Sequence, residues 1–236
     1  MALELLGSQQ KMMIRSITVA VFVPVISVVA GPAQDWTCSS QDWTQNLYAN
    51  VDLGGVYQQA DTTLYQSTGM ALHTTFNLGI RGDMALGYNV NQSWAVEFET
   101  GVLWNSMNKV GGVSLSSIGQ SFDTYTVPFL AKVIYKVPLK GPFYPYVGIG
   151  AGGAATIASF DTGGFTPTTL GDYDFVFACQ AETGLEYKLT KSMSVDVAYK
   201  FFATSNPRWY FSEIPDRITE DGFFTHAVVF SFAWNF

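Results

Sequence analysis

The stretch that decides the fold runs from residue 74 to residue 105 and reads TTFNLGIRGDMALGYNVNQSWAVEFETGVLWN. Large apolar residues recur at every second position on both sides of a short polar turn, 89–92, and not at helical spacing. We therefore predict two antiparallel strands, 74–88 and 93–105, each with one apolar and one polar face. The predicted apolar faces carry Phe76, Leu78, Ile80, Met84, Leu86 and Tyr88, and then Trp94, Val96, Phe98, Val102 and Trp104.

The same two-residue period continues along the rest of the chain. It predicts six further strands, at 46–57, 122–136, 143–156, 173–187, 192–203 and 223–236; the glycine-rich 143–156 leaves its facing open. Short turns at 89–92, 137–142 and 188–191 alternate with longer polar loops at 58–73, 106–121, 157–172 and 204–222. This alternation is typical of transmembrane barrels. We predict an all-β fold, an eight-stranded antiparallel up-and-down transmembrane β-barrel with both termini on the periplasmic side.

The composition agrees with a barrel and argues against several other classes of protein. Charged residues make up 13% of the chain, against about 25% in ordinary globular proteins. No run of about 18 apolar residues follows position 33, which argues against membrane-spanning helices. A net charge of −7 without a basic stripe argues against a nucleic-acid partner. Cys38 and Cys179 match no metal or redox motif, and we expect both thiols to be free.

The N-terminus has the pattern of a secretory signal peptide, which would precede the barrel and be cleaved. Lys11 and Arg15 supply the positive region, an apolar stretch follows, and Ala30 and Ala33 are both suitable cleavage positions. The alternative is a membrane anchor, which the short apolar run and Pro24 disfavour. The predicted segments are a signal peptide at 1–33, a short periplasmic segment at 34–45 and the outer-membrane barrel at 46–236.

The polar faces of the predicted strands should line the barrel interior. An Arg or Lys on the lipid face at mid-bilayer costs roughly 2–4 kcal/mol, so charged side chains are expected inside. The predicted lumen network is Asp52, Arg81, Asp83, Glu97, Glu99, Lys132, Glu182, Glu186, Asp196 and Lys200. Paired carboxylates such as Glu97 and Glu99 also occur in glycosidases, but we expect ion pairing here because buried charges must be paired. The excess of carboxylates predicts water or hydroxyl donors in the lumen.

Several motifs resemble a known family, the outer-membrane-protein β-barrels that include the transmembrane domain of outer membrane protein A. Gly87-Tyr88-Asn89-Val90-Asn91-Gln92-Ser93-Trp94-Ala95-Val96-Glu97 resembles a periplasmic turn of that family. Pro145-Tyr146-Val147-Gly148-Ile149-Gly150-Ala151-Gly152 and Thr183-Gly184-Leu185-Glu186-Tyr187 resemble its strand segments. The terminal Phe230, Phe232, Trp234 and Phe236 resemble the signal read by the barrel assembly machinery. The resemblance implies a bacterial outer-membrane location.

Nothing in the sequence indicates catalysis or a cofactor. Gly148, Gly150 and Gly153 match GxGxxG, but the helix and the distant acidic residue that a dinucleotide site needs are missing. His226 falls on an outward face between apolar neighbours, and His73 falls in a predicted loop. We expect the chain not to be an enzyme, although a triad assembled in space cannot be judged from sequence order.

Three functions remain, and the first is favoured. The chain is a structural or surface-interaction barrel with displayed loops, a small-solute channel, or an enzyme that modifies lipid. Eight strands leave an interior only wide enough for side chains, which weighs against conduction. The expected partners are outer-membrane lipid and lipopolysaccharide, the barrel assembly machinery and an unknown extracellular ligand at the loops. The aromatic run at 206–211 either forms a contact surface or caps the barrel mouth.

Overall fold

A computed structural model describes residues 46–65, 69–161, 169–210, 217–220 and 222–236. The chain separates into Met1–Ser39 and Ser40–Phe236, and all described residues belong to the second part. The predicted signal peptide, the predicted periplasmic segment and Cys38 lie outside the described residues. Within the described ranges, no helix has the length and apolar character needed to cross a membrane.

The described chain is built from β-strands with one short 3-10 helix at Ser116–Ile118. The strands are β1 (Leu47–Gln58), β2 (Asp61–Tyr65), β3 (Met70–Phe76), β4 (Gly79–Asn89), β5 (Trp94–Val110), β6 (Val113–Ser114), β7 (Ser121–Lys136), β8 (Phe143–Asp161), β9 (Thr169–Lys188), β10 (Met193–Thr204), β11 (Arg208–Tyr210), β12 (Arg217–Glu220) and β13 (Phe224–Asn235).

Eight of these strands close an antiparallel barrel in the order β1, β4, β5, β7, β8, β9, β10 and β13. The barrel closes where β13 pairs with β1, from Tyr48 opposite Asn235 to Gln58 opposite Thr225. Because the barrel is closed, every barrel strand is paired with a neighbouring strand on both sides. Each of the eight predicted strands corresponds to one barrel strand, which confirms the all-β, eight-stranded fold.

Successive residues on a barrel strand point to opposite sides, as the sequence period predicts. Phe98 on β5 is 53% exposed, whereas its neighbour Glu99 is fully buried inside the barrel. The outward faces of the barrel strands are largely apolar, and the small residues of β8 alternate in the same way. Val147 and Ile149 are exposed, whereas Tyr146 and Gly148 face the interior. The facing of β8, which the sequence left open, is set by its pairing with β7 and β9.

The two ends of the barrel differ. Short turns connect β4 to β5, β7 to β8 and β9 to β10 at one end, which we call the turn end; β1 begins and β13 ends there. The opposite end, the loop end, carries long strand extensions. β5, β8 and β9 contain 17, 19 and 20 residues, whereas about 9–11 residues suffice to cross a bilayer.

A second sheet continues from the loop end in the order β11, β12, β2, β3 and β5. β2 pairs with β3, and β12 pairs with β2, so two distant parts of the chain share this sheet. The prediction of loops at 58–73 and 204–222 is therefore wrong where these ranges form strands, namely at β2, the start of β3, β11 and β12. Their short strands lack a clean two-residue period, and they become strands through pairing with one another.

The facing predicted for Phe76 and Asn77 is wrong. Phe76 is 7% exposed and packs inside, while Asn77 and the adjacent Leu78 are both exposed. The register of β3 against β5 shifts between Thr75 and Phe76, and β4 begins only at Gly79. The residue skipped by this shift is Asn108 of β5, so β3 keeps its own alternation, with Thr74 and Phe76 both inward. The parity changes between β3 and β4, where Asn77 and Leu78 belong to neither strand. The inward face of β3 therefore has the opposite parity to that of β4.

An apolar cluster fills the interior at the loop end. Its buried members are Phe76, Met107, Leu115, Phe122, Ala158, Trp209 and Phe223. Trp209 of β11 is fully buried, packs against Phe122 and Phe223, and donates its indole N–H to the carbonyl oxygen of Thr156 at 3.5 Å. Its neighbour Tyr210 is 62% exposed. Within 206–210, one aromatic side chain therefore caps the mouth and the other faces out; Phe211 lies outside the described residues.

Candidate functional site

The candidate site is the charged layer in the middle of the barrel interior. The structure places all ten residues of the predicted lumen network on inward faces, buried or half-buried. β4 contributes Arg81 and Asp83, and β5 contributes Glu97 and Glu99. The remaining six come from β1, β7, β9 and β10: Asp52, Lys132, Glu182, Glu186, Asp196 and Lys200.

Glu99 lies at the centre of this layer, and three cations from three other strands converge on it. Its Oε1 is 3.0 Å from Nη2 of Arg81. Its Oε2 is 2.7 Å from Nζ of Lys132 and 2.8 Å from Nζ of Lys200. A carboxylate removed from water needs such partners, because an unpaired buried charge is strongly unfavourable.

Arg81 and Gln180 join opposite walls of the barrel. The guanidinium of Arg81 donates to Asp83 at 2.6 Å and to the amide oxygen of Gln180 at 2.6 Å. The amide nitrogen of Gln180 donates in turn to Glu99 at 2.9 Å and to Glu182 at 3.0 Å. β4 and β5 are thus connected to β9 by side chains alone, across the lumen.

Two lysines complete the layer. Lys132 lies 2.7 Å from Glu97 and 3.1 Å from Glu182, in addition to Glu99. The ammonium of Lys200 contacts Oδ2 of both Asp52 and Asp83, as well as Glu99. The carboxylates of Asp52, Asp83 and Glu99 come close enough to hold a metal ion, but the Lys200 ammonium already lies among them.

Four inward-facing residues of this interior are additions to the predicted network: Tyr48, Lys136, Tyr146 and Gln180. Tyr48 donates to Glu97 at 2.5 Å, and Tyr146 donates to Asp196 at 2.9 Å. Lys136 pairs with Glu186 at 2.7 Å. The alternation of side chains along β7 predicts that Lys136 faces inward, because it lies four residues beyond Lys132. The two tyrosines were not predicted, because aromatic residues are expected on the outward face of a barrel, at the membrane interfaces.

A separate buried carboxylate lies in the loop-end sheet. Glu220 of β12 is buried beside Thr63, whose hydroxyl is 3.4 Å from its Oε1. Burial and, to a smaller extent, the nearby Asp61 carboxylate raise the pKa of Glu220 to about 8, against the opposing effect of the Thr63 hydroxyl. This group could not be identified from the sequence, because its burial depends on the pairing of β12 with β2.

The histidines do not form a hydrolase arrangement within the described residues. His226 faces outward, with ring nitrogens 2.5 Å from the Tyr199 hydroxyl and 2.6 Å from the Gln59 amide nitrogen. His73 lies exposed on β3, not in a loop. Neither side chain hydrogen-bonds to a serine or a carboxylate there. That the chain is not an enzyme remains a prediction.

The predicted assembly-signal residues all face outward on β13 or just after it. They are Phe230, Phe232, Trp234 and Phe236. The backbone N–H of Phe236 donates to the carbonyl oxygen of Leu47 at 3.0 Å, at the seam where the barrel closes. Cys179 also faces outward and carries a free thiol.

Solved structures similar to this chain are outer-membrane barrels. OprG from Pseudomonas aeruginosa is 12% identical and has a TM-score of 0.56, with 82% of this chain and 98% of that chain covered. AlkL is 18% identical with a TM-score of 0.51, covering 86% and 96%. Neisserial surface protein A is 15% identical with a TM-score of 0.50, covering 81% and 97%. At these identities the likeness concerns the fold alone.

No curated protein matches the sequence. The model of the outer membrane protein beta-barrel domain matches residues 21–236, which include every barrel strand. That family is located in the bacterial outer membrane. The closed eight-stranded barrel, its apolar outward face and this match agree, and the chain belongs to the outer membrane protein beta-barrel domain family.

Proposed function

We propose that this protein is a structural and surface-display barrel of the outer membrane whose lumen does not conduct. The observation that carries the proposal is the charged layer around Glu99. Arg81, Lys132, Lys200 and Gln180 connect to it from four other strands, and Glu99 itself is fully buried. Side chains fill the interior of a barrel this narrow, so a solute would have to break several buried ion pairs to pass.

The apolar cluster at the loop end supports the same proposal. Trp209, Phe122 and Phe223 pack inside the mouth, beyond the charged layer. A hydrated ion that enters from the loop end would therefore meet the apolar cluster first and the ion-paired layer second. A polar solute loses its hydration in the first without gaining hydrogen bonds, which is costly.

We further propose that the turn end faces the periplasm and the loop end faces outward. Short periplasmic turns and longer extracellular segments are the arrangement known for outer-membrane barrels. The first barrel strand, β1, begins at the turn end, and the last, β13, ends there. The second sheet would then be displayed to the outside, where exposed side chains such as Tyr210 and Val113 are available to an extracellular ligand.

The outward aromatic residues support lipid and lipopolysaccharide as the surrounding partners. Trp94 packs against Tyr135, and Phe143 packs against Tyr187, close to the turn end. Such rings favour the headgroup region of a membrane. The barrel assembly machinery is the proposed partner of β13 during insertion.

Conductance of the refolded protein in planar bilayers tests the closed lumen. We expect the wild type to show no stepwise currents. A variant that removes a central cation, Arg81→Ala, is expected to produce measurable conductance because the charged layer loses a cross-lumen connection. Met84→Ala removes a side chain from the outward face and serves as the control. Large cation-selective currents through the wild type would instead establish a channel lined by acidic groups.

A further inference from the structure

Two adjacent turns at the turn end carry lysines that have no counter-charge. One turn, 137–142, joins β7 to β8, and the other, 189–192, joins β9 to β10. The backbone N–H of Lys188 donates to the carbonyl oxygen of Pro142 at 2.9 Å, so the two turns lie side by side. Lys140, Lys188 and Lys191 are exposed, and within the described ranges none of them is in an ion pair. We call these three residues the turn-end lysines.

The positive charge is confined to one side of the turn end. The third turn, 89–92, contains no charged residue, and neither does β1 from 47 to 51 or β13. Lys136, which lies just inside the mouth, is paired with Glu186 at 2.7 Å. The loop end instead carries charges of both signs, with carboxylates in excess: Lys109, Arg208, Asp123, Asp161, Asp172 and Asp174. The turn-end lysines therefore form a local basic patch.

The patch lies at the depth where lipid headgroups are expected. Phe143 and Tyr187 are exposed on the outward face and pack against each other, with ring centroids 4.9 Å apart. Such rings favour the headgroup region of a membrane. Lys188 directly follows Tyr187, and Lys140 precedes Phe143 by three residues. Because a strand rises about 3.3 Å per residue and a lysine side chain has a flexible four-carbon stem, these ammonium groups can reach the lipid phosphates.

Exposed aliphatic side chains lie in the same two turns as the lysines. Leu139 is 50% exposed and Leu189 is 51% exposed. Removing such apolar surface from water is favourable, and a membrane interface offers a place for it. Surfaces that combine leucines with lysines bind membranes through buried apolar area and through attraction to anionic lipids. A polyanion in solution would use the lysines alone, so the patch fits a lipid surface better.

We propose that the turn-end lysines bind the headgroups of anionic phospholipids such as phosphatidylglycerol, and thereby select the lipids beside β7, β8, β9 and β10. The lysine ammonium groups donate to the phosphate oxygens. Lys188 lies at the rim of the mouth, with its ammonium 4.2 Å from the centre of the Tyr144 ring. Lys140 and Lys191 supply the remaining charge. The proposal rests on the proposed orientation only for the leaflet that supplies the lipid, which is then the periplasmic one.

Quenching of tryptophan fluorescence in vesicles tests the proposal. Trp94 is exposed at the turn end and packs against Tyr135, so brominated lipids close to the patch quench it. The refolded protein is placed in phosphatidylcholine vesicles with a minor fraction of brominated phosphatidylglycerol or brominated phosphatidylcholine. We expect stronger quenching by phosphatidylglycerol, and loss of this difference in about 1 M NaCl, where charges are screened within about 3 Å. Lys140→Gln combined with Lys191→Gln should lower the preference by roughly tenfold or more, because each lysine near an anionic surface contributes about fivefold.

Lys109→Gln combined with Arg208→Gln is the matched control. It removes the same two charges from exposed side chains at the loop end, and it should leave the preference unchanged. Equal quenching by the two lipids in the wild type, or an unchanged preference in the turn-end variant, overturns the proposal. Binding of soluble dextran sulfate without a preference for phosphatidylglycerol also overturns it, because the partner would then lie in the aqueous phase. Vesicles offer the same lipids in both leaflets and no current is measured, so the result is independent of the proposed orientation and of the closed lumen.

Discussion

At the scale of single residues, the interior depends on cations that each serve several carboxylates. Arg81 contacts Asp83 and Glu99 and also holds Gln180. Arg81→Ala would leave two buried carboxylates short of a partner. Breaking a buried pair in this way typically costs about 3–5 kcal/mol of unfolding free energy, and water entering the lumen would reduce that. We therefore expect a lower unfolding midpoint in urea.

The control for Arg81→Ala is Met84→Ala, on the same strand but on the outward, half-buried face. In detergent this change removes no ion pair, and its effect on the midpoint should be clearly smaller. If both variants unfold at the wild-type urea concentration, the charged layer does not stabilise the barrel.

Glu220 makes the loop-end sheet sensitive to pH. Its ordinary pKa is 4.5, and burial with the neighbouring Asp61 raises it to about 8 in the folded protein. Between these values the folded state holds a proton that the unfolded state has released. The contribution of Glu220 to stability is therefore complete below about pH 4.5 and is lost as the pH rises through 8, because the slope follows the difference in bound protons.

The measurement is the urea midpoint of the wild type and of Glu220→Gln at pH 5 and at pH 9. Gln is neutral at both pH values, so the wild type should lose more stability than the variant on going to pH 9. Equal losses in the two proteins would mean that Glu220 is ionised without penalty in the folded state.

At the scale of strands, two inward tyrosines lie over glycines of the neighbouring strand. Tyr146 of β8 pairs with Gly184 of β9 in register, and a Cβ atom at Gly184 would lie 2.6 Å from the Tyr146 ring. Tyr48 of β1 and Gly87 of β4 form the corresponding pair. The absence of a side chain at each glycine lets the ring lie flat against the wall and direct its hydroxyl to a lumen carboxylate.

Gly184→Ala should therefore destabilise the barrel, because the Tyr146 ring must move and its hydrogen bond to Asp196 is lost. Overpacking of this kind typically costs about 1–3 kcal/mol. Gly55→Ala is the matched control, since a Cβ atom there meets nothing within 4 Å. Urea midpoints measured side by side should fall only for Gly184→Ala; a similar fall at Gly55 would trace the effect to backbone propensity instead.

At the scale of the whole molecule, β13 joins the first and last parts of the barrel. It pairs with β1 on one side and β10 on the other, so the barrel cannot close until the end of the chain is in place. Phe236 directly follows this strand, and its backbone N–H donates a hydrogen bond to the carbonyl oxygen of Leu47. Deleting Phe236 should impair assembly into the outer membrane while export continues.

The measurement is the amount of protein in outer-membrane and periplasmic fractions. Phe143→Ala removes another exposed aromatic side chain at the turn end and should assemble normally, because it leaves β13 intact. Normal outer-membrane levels of the Phe236 deletion would count against a C-terminal assembly signal.

The sequence by itself determined the barrel, because a two-residue period is a local property of each strand. The eight strands, their apolar outward faces and the inward positions of Glu99, Lys132 and Lys200 all follow from that period and from the cost of placing charge in lipid. Lys136 lies on the same face of β7 as Lys132, so the same period predicts that it faces inward.

The tertiary structure alone decided the features that depend on pairing between distant residues. Trp209 caps the barrel mouth and Glu220 is buried because β11 pairs with β12 and β12 pairs with β2. The residues of β2 lie about 150 positions earlier in the chain. The break between β3 and β4, at Asn77 and Leu78, gave Phe76 the opposite facing to the one that its spacing from β4 predicts. The Gln180 bridge arises where side chains from opposite walls of the barrel meet. Such meetings depend on how strands are staggered around the barrel, and the period within a single strand carries no information about that stagger.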